Sequence, residues 1–235
     1  MAQKGNRRSI ADFFHPESPE VTEFRRVLHN LNGACPENGK MAVLVTSSVL
    51  SEGKSVFSAY LAMTAAQQKK RKTLLLDFDL RRPMIHKLFA LPIKEGVSDI
   101  LQSGIASRNV TKKTPLEWLD IITAGGIIEN TSEILTGAAI HRIVEEAKFY
   151  YDLLIFDAPP VVPVMDSIVI LEEMDGALLV IKAGETHREV VMRARSALNS
   201  HQDKLIGIVV NNLKQILPYY YNYEYYRYKY KTPKK

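Results

Sequence analysis

The chain has 235 residues, 46% of them hydrophobic, and a formal net charge of +5, which suits one α/β domain large enough to bury about 70–75% of its unfolded surface without staples. Its single cysteine, Cys35, excludes an internal disulfide or a cysteine-built metal cluster and favours a reducing compartment. No apolar run approaches the ~18 residues of a membrane span and no signal-peptide pattern follows the first residues, so the expectation is a cytoplasmic protein that meets a membrane only through a partner.

Residues 1–17 are polar and basic and read as a flexible N-terminal arm or a docking strap. Ser18 followed by Pro19 opens a helix, on which Val21, Phe24, Leu28 and Leu31 share one face. Residues 32–40, with Gly33, Pro36 and Gly39, read as a loop. From Met41 the pattern becomes strand, loop, helix. The apolar runs 41–45, 73–76, 153–156, 177–181 and 205–210 read as strands buried on both faces, hence a mostly parallel β-sheet flanked by helices on both sides. A helix is expected over about 54–68. Residues 84–150 read as helices and loops, with an amphipathic stretch over 140–147. The expected division is an arm over 1–17, one domain over 18–217, and a tail over 218–235.

Ser48-Val49-Leu50-Ser51-Glu52-Gly53-Lys54-Ser55 fits the phosphate-loop pattern G-x-x-x-x-G-K-[ST] with Ser48 in place of the first glycine. It lies between a buried strand and a helix, where backbone N–H groups and the helix N-terminus attract phosphates. Candidate nucleotide contacts are therefore Ser48, Ser51, Glu52, Gly53, Lys54, Ser55 and Val56. Lys54 faces the β/γ-phosphates and is expected to be little used in packing, and the Ser55 hydroxyl binds Mg²⁺. Two further strands end on carboxylates, one on Asp77 with Asp79 two positions on, the other on Asp157. Ligands of open α/β sheets bind at strand carboxyl ends. Asp77 is the candidate general base, and Asp79 and Asp157 hold Mg²⁺ with Ser55. Asp77 and Asp79 can exchange these roles on sequence alone. Arg81 and Arg82 read as a solvated basic pair or a phosphate or subunit contact, and Asp166 as a metal-shell residue or a helix cap.

The last segment reads Tyr219-Tyr-Tyr-Asn-Tyr-Glu-Tyr-Tyr-Arg-Tyr-Lys-Tyr230 and holds eight of the chain's 11 tyrosines. Three readings compete: phosphorylation sites, an aromatic stacking platform for single-stranded nucleic acid, and a sticky tail without a role.

Together these segments resemble the bacterial tyrosine kinases of capsule and exopolysaccharide export, over nearly the whole chain from about Glu23. Glu133-Ile-Leu, the Tyr-Asp-x-x-Ile-x-Asp-x-Pro-Pro run ending at Pro160, and Asp175-Gly-Ala-Leu-Leu-Val add to the likeness. The resemblance implies a P-loop NTPase-like fold, ATP and Mg²⁺, and Lys54, Ser55, Asp77, Asp79 and Asp157 at functional positions. It makes Asn211 an adenine contact, against the plain reading of a turn residue. The tail tyrosines Tyr219, Tyr220, Tyr221, Tyr223, Tyr225, Tyr226, Tyr228 and Tyr230 become autophosphorylation sites, with no nucleic-acid partner. Glu23, Arg26 and His29 match a subunit-contact motif whose last position is usually arginine, which implies a ring or dimer. Leu50 stands where proline is common. Further implied partners are a membrane polysaccharide co-polymerase with an activating cytoplasmic segment and a tyrosine phosphatase. The alternatives are a partition- or septum-type ATPase switch, disfavoured because Val49 replaces that group's second lysine, and a non-catalytic nucleotide-binding adaptor.

Overall fold

A computed structural model describes residues 8–69, 71–126, 128 and 130–212. Seven strands form one sheet in the order β3-β4-β2-β5-β1-β6-β7, with β1 Met41–Ser47, β2 Thr73–Asp77, β3 Lys112–Lys113, β4 Leu119–Ile122, β5 Leu153–Asp157, β6 Gly176–Lys182 and β7 Leu205–Asn211. All neighbours pair parallel except β3 with β4. β1, β2, β4 and β5 are buried along their whole length, which the continuous apolar runs require of strands covered on both faces.

Because side chains alternate across a strand, each run feeds two cores. Met41, Val43, Val45, Leu75, Leu153 and Ile155 point to one face. There they meet α1 (Pro19–Gly33) and α2 (Lys54–Lys69). Ala42, Leu44, Leu74, Leu76, Leu154 and Phe156 point to the other. That face is covered by α4 (Val97–Ser103), α7 (Gly137–Tyr150) and α8 (Asp166–Leu171). The remaining helices are α3 (Ile85–Leu88), α5 (Ser107–Val110), α6 (Thr131–Ile134) and α9 (Arg188–Ala197).

α1 starts where its sequence directs: the Ser18 hydroxyl accepts from Val21 N–H at 3.3 Å, and Pro19 occupies the first turn, where no donor is lost. Phe24 then stacks on Tyr60 of α2 with ring centroids 5.4 Å apart. The described part of the N-terminal stretch packs on the helices of the domain. Ser9 and Asp12 form a capping box around a 3₁₀ turn at Ile10–Phe13, and Phe14 is buried against Tyr60 at 6.0 Å. The tail from residue 213 on, and with it the tyrosine cluster, lies outside the described residues.

Two expectations need correction. Residues 84–150 contain strands β3 and β4 as well as helices. β4 reads Leu-Asp-Ile-Ile, and its Asp120 breaks the apolar run; the carboxylate is buried because Lys113 (2.7 Å) and the Tyr151 hydroxyl (2.8 Å) both donate to it. β7 is an edge strand with Ile208 and Val210 exposed, so its apolar run does not signal burial on both faces.

Candidate active site

β1, β5 and β2 are adjacent, and their carboxyl ends carry the phosphate loop, Asp157 and Asp77. Register sets Asp77 directly beside Asp157. Neighbouring strands are only about 4.8 Å apart, so two carboxylates are forced together at the sheet's end.

The loop from Ser48 to Gly53 is shaped by its own backbone and by ties to three neighbours. Ser51 and Gly53 take positive φ, 66° and 91°. The Glu52 carboxylate is buried and accepts from Val49 N–H at 2.8 Å, and its other oxygen accepts from the Thr186 hydroxyl. Asn211 Nδ2 donates to the Glu52 carbonyl at 2.9 Å. The segment after Asp157 closes the third side, with Val161 N–H donating to the Ser47 carbonyl at 2.9 Å.

At the start of α2, the Lys54 ammonium lies 2.8 Å from Asp79 Oδ2 and 3.5 Å from Asp157 Oδ1. It also donates to the Ser55 hydroxyl at 3.3 Å. Ser58, one turn on, donates to Asp157 Oδ1 at 3.3 Å. Asp79 accepts from Arg82 N–H at 2.9 Å, and Asp77 Oδ2 accepts from Met84 and Ile85 N–H at 3.1 and 3.0 Å. Asp77 and Asp157 are fully buried and Asp79 nearly so.

One ammonium thus faces three carboxylates in a dry site. Burial tends to lower the pKa of Lys54, but Asp157 and Asp79 outweigh it and hold the amine above its ordinary value. Burial, then the Asp157 charge, push Asp77 well above the usual carboxylate range. Burial also raises Asp157, against the pull of Lys54. Lys54 is therefore a structural ion-pair partner here, which overturns the expectation that it is little used in packing.

Among the described residues, three buried oxygens lack a hydrogen-bond partner: Ser48 Oγ, Asp77 Oδ1 and Asp157 Oδ2. Buried polar atoms are rarely left unsatisfied, so these are open positions for a ligand shell. Among the described residues no group of three or more His, Cys, Asp or Glu is arranged to hold an ion by itself. Mg²⁺ ordinarily binds through one or two carboxylates and completes its shell with phosphate and water.

Residues 38–226 match the family described as ParA, NUBPL iron-transfer P-loop NTPase. The chain is 33% identical over 234 residues to the tyrosine-protein kinase YwqD of Bacillus subtilis (strain 168), covering 97% of this chain and 98% of that one. The chain belongs to the bacterial tyrosine-protein kinases. The solved kinase domain of Escherichia coli tyrosine kinase ETK superposes with a TM-score of 0.81 at 26% identity, covering 90% of this kinase and 82% of that chain. The chimerical protein CapA2B2 superposes at 0.79 with 29% identity, covering 86% and 88%. The iron-transfer part of the family description does not carry over, because clusters are held by several thiolates and this kinase has one cysteine.

The structure brings together the kinase's Lys54, Ser55, Asp77, Asp79 and Asp157, as their positions at strand and helix ends require. Asn211 sits against Gly53, where a Cβ would come within 2.2 Å of its Nδ2, so it braces the phosphate loop. Val56 and Leu50 are exposed. Arg81 is exposed but ion-paired: it pairs with Asp166 through Nε at 2.9 Å, and Thr131 donates to the same carboxylate at 3.2 Å. Asp166 is the first residue of α8, not its cap. Glu23 and Arg26 pair at 3.2 Å on the outer face of α1, and His29 is exposed one turn on. Sequence reasoning missed Thr186 and Ser58. Ser58 was findable at four residues from Lys54 on one helix face; Thr186, in a distant loop, carried no signal.

Proposed function

We propose that this kinase passes the terminal phosphoryl group of ATP-Mg²⁺ to the tyrosines of its own C-terminal cluster, between subunits of a ring or dimer. One observation carries the reading: Lys54, Ser55, Asp77, Asp79 and Asp157 converge at the ends of three adjacent strands, with unsatisfied buried oxygens among them. Phosphoryl transfer needs mainly positioning and charge neutralisation. Lys54 supplies part of this by leaving Asp79 for the phosphates. Bound Mg²⁺ supplies the rest of the neutralisation. Ser55, Asp79 and Asp157 are the residues that would hold it.

A tyrosine phenol has a pKa of about 10 and must shed its proton. Asp77 takes that proton as the phenolic oxygen bonds to phosphorus and ADP leaves. Burial pushes its carboxyl above the usual range, which makes it a stronger proton acceptor than an ordinary aspartate. Asp77 is fully buried in the described structure, so the site has to open for the phenol to reach it. Leu50 of the phosphate loop, Met84, whose N–H donates to Asp77, and Met165, which precedes Asp166, are exposed apolar side chains. Such exposed apolar groups support docking of a second subunit or of a membrane polysaccharide co-polymerase's cytoplasmic segment. The reading places the kinase at the inner face of the membrane in capsule or exopolysaccharide synthesis, where a phosphatase resets it.

Purified protein incubated with ATP-Mg²⁺ is expected to yield phosphotyrosine within residues 219–230, increasing when the activator segment is added. ATP hydrolysis without phosphotyrosine under both conditions refutes the reading. Mixing Lys54→Met chains with chains lacking residues 219–235 tests transfer between subunits: phosphotyrosine on the Lys54→Met tail is expected, and its absence excludes that route.

A further inference from the structure

A cavity of 480 Å³ opens at the opposite end of the sheet, lined by Lys72, Arg108, Lys113, Trp118, Asp120, Tyr151 and their neighbours. Lys72 and Trp118 immediately precede β2 and β4, and Tyr151 precedes β5. The strands therefore separate this cavity from the active-site carboxylates at their other ends. Backbone bonds fix its walls: Thr73 N–H donates to the Trp118 carbonyl at 2.9 Å and Asp152 N–H to the Lys72 carbonyl at 2.8 Å.

The polar groups sort into two sets. Asp120 is nearly buried, and its Oδ2 accepts from both Lys113 and Tyr151. Burial and Asp120 raise the Tyr151 pKa, so the phenol stays a donor and this set is already satisfied. Lys72 and Arg108 are the other set. Both are exposed, and among the described residues neither side chain has an ion-pair or hydrogen-bond partner. Beside them stand half-buried Trp118 and the ring of Tyr150, which is 45% exposed. Glu117 is exposed at the rim.

Two free cations beside aromatic walls, in a cavity of small-ligand size, match an aryl phosphate. The guanidinium fork takes phosphate oxygens bidentately, and the ring lies against Trp118 and Tyr150. We propose that this cavity binds a phosphotyrosine of the chain's own C-terminal cluster, so that a finished tail is held on the face away from the nucleotide site. The source of the ligand rests on the kinase reading above; the cavity's chemistry does not. Each phosphate brings about −1.5 to −2 charges to Arg108 and Lys72, while Glu117 complements the flanking Arg227 and Lys229 of the tail.

Reach decides which tyrosines arrive from which chain. From β7 to β4 is five strand spacings of about 4.8 Å, and a strand length adds ~20 Å along the other axis, so the straight path is on the order of 30 Å. At about 3.3–3.6 Å per residue, Tyr219 on the same chain falls short of that distance and Tyr226 to Tyr230 exceed it. Tyr219 reaches the cavity only from a second copy, whereas Tyr221 and the later tyrosines are long enough to reach it on the same chain.

Trp118 is the chain's one tryptophan, so its fluorescence reports on the cavity directly. Phosphatase-treated full-length protein is titrated with a synthetic peptide of residues 219–230, plain or phosphorylated at Tyr226, with excitation where tyrosine does not absorb. The phosphopeptide is expected to change Trp118 emission and to bind about tenfold or more tighter than the plain peptide, the scale of charge-assisted hydrogen bonds. The exposed pair Arg108→Gln and Lys72→Gln should abolish that difference without altering the melting temperature. Phenyl phosphate should compete, and inorganic phosphate only at much higher concentration. Equal affinity for the two peptides, phosphopeptide binding that survives the double variant, or competition by inorganic phosphate as good as by phenyl phosphate each overturns the proposal. None of these outcomes depends on whether the protein phosphorylates itself, and failure of tail phosphorylation with ATP-Mg²⁺ sinks the kinase reading without touching the peptide result.

Discussion

Replacing Lys54 with methionine should destabilise the fold as well as silence it. The ammonium sits 2.8 Å from Asp79 and 3.5 Å from Asp157, and these two acids with Asp77 are all buried. Removing one partner from a buried ion pair costs about 3–5 kcal/mol. A carboxylate left unpaired has an escape, which is to take up a proton. For an acid with an unfolded pKa near 3.9 that costs about 4 kcal/mol at pH 7 but only about 1.5 kcal/mol at pH 5, at 1.36 kcal/mol per unit. The deficit is therefore capped, and the cap falls with pH. The sign follows from linkage: Asp77 and Asp157 already have raised pKa values and lose their cation in the variant. The folded variant thus binds more protons than its unfolded chain, and its stability drops as pH rises from the unfolded pKa through the folded one. Lys54 itself stays charged across this window, because its pKa is raised, not lowered. At roughly 2–4 °C per kcal/mol for a domain of this size, calorimetry without nucleotide should show the variant melting about 6–16 °C below wild type at pH 7 and about 3–6 °C below at pH 5. A melting temperature within a degree of wild type at both values, or an equal deficit at both, refutes this account of the site.

Three further changes probe the same ground. Asp77→Asn removes a buried carboxylate whose ionisation opposes folding while keeping an acceptor for Met84 and Ile85 N–H. It should raise the melting temperature at pH 8, lose the advantage by pH 4, and abolish phosphotyrosine formation; a drop at pH 8 contradicts the raised pKa. Gly53→Ala places a methyl 2.2 Å from Asn211 Nδ2 at a φ of 91°, with a strain on the order of 1–3 kcal/mol, and nucleotide affinity should fall steeply. Adding Asn211→Ala should relieve the clash but not the strain, so recovery should be partial, and full recovery in equilibrium binding would show that the backbone angle is irrelevant. Thr186→Val leaves one Glu52 oxygen without its donor and should raise the KM for ATP about tenfold with kcat unchanged; an unaltered KM removes Thr186 from loop positioning.

How much was legible in the sequence depends on whether a residue's role is local. β2 and β5 are apolar runs that stop at an aspartate, and that contrast exposes both the strand and the site residue. The cap of α1 is likewise written into Ser18 and Pro19. β4 was hidden because Asp120 interrupts it, and its burial becomes tolerable only through Lys113 and through Tyr151 across the fold. The tie between Thr186 and Glu52 spans 134 residues, and no pattern at either end announces it. Lys54 stands at the start of α2, where the pattern puts it, but the buried acids it neutralises there come from two other strand ends and leave no mark beside it in the sequence.

The sheet order carries a consequence for how the chain comes off the ribosome. β5 lies between β1 and β2, so the first two strands made cannot pair with each other, and their ladder groups await a strand beginning at Leu153. The phosphate loop emerges early, yet its partner Asp157 follows 103 residues after Lys54. A nascent chain halted before β5 therefore displays an intact nucleotide motif that has nothing to brace it, and only a polypeptide extended past β5 can assemble the floor of the pocket. Nucleotide capture by stalled chains of graded length would register the moment when the central strand slots in.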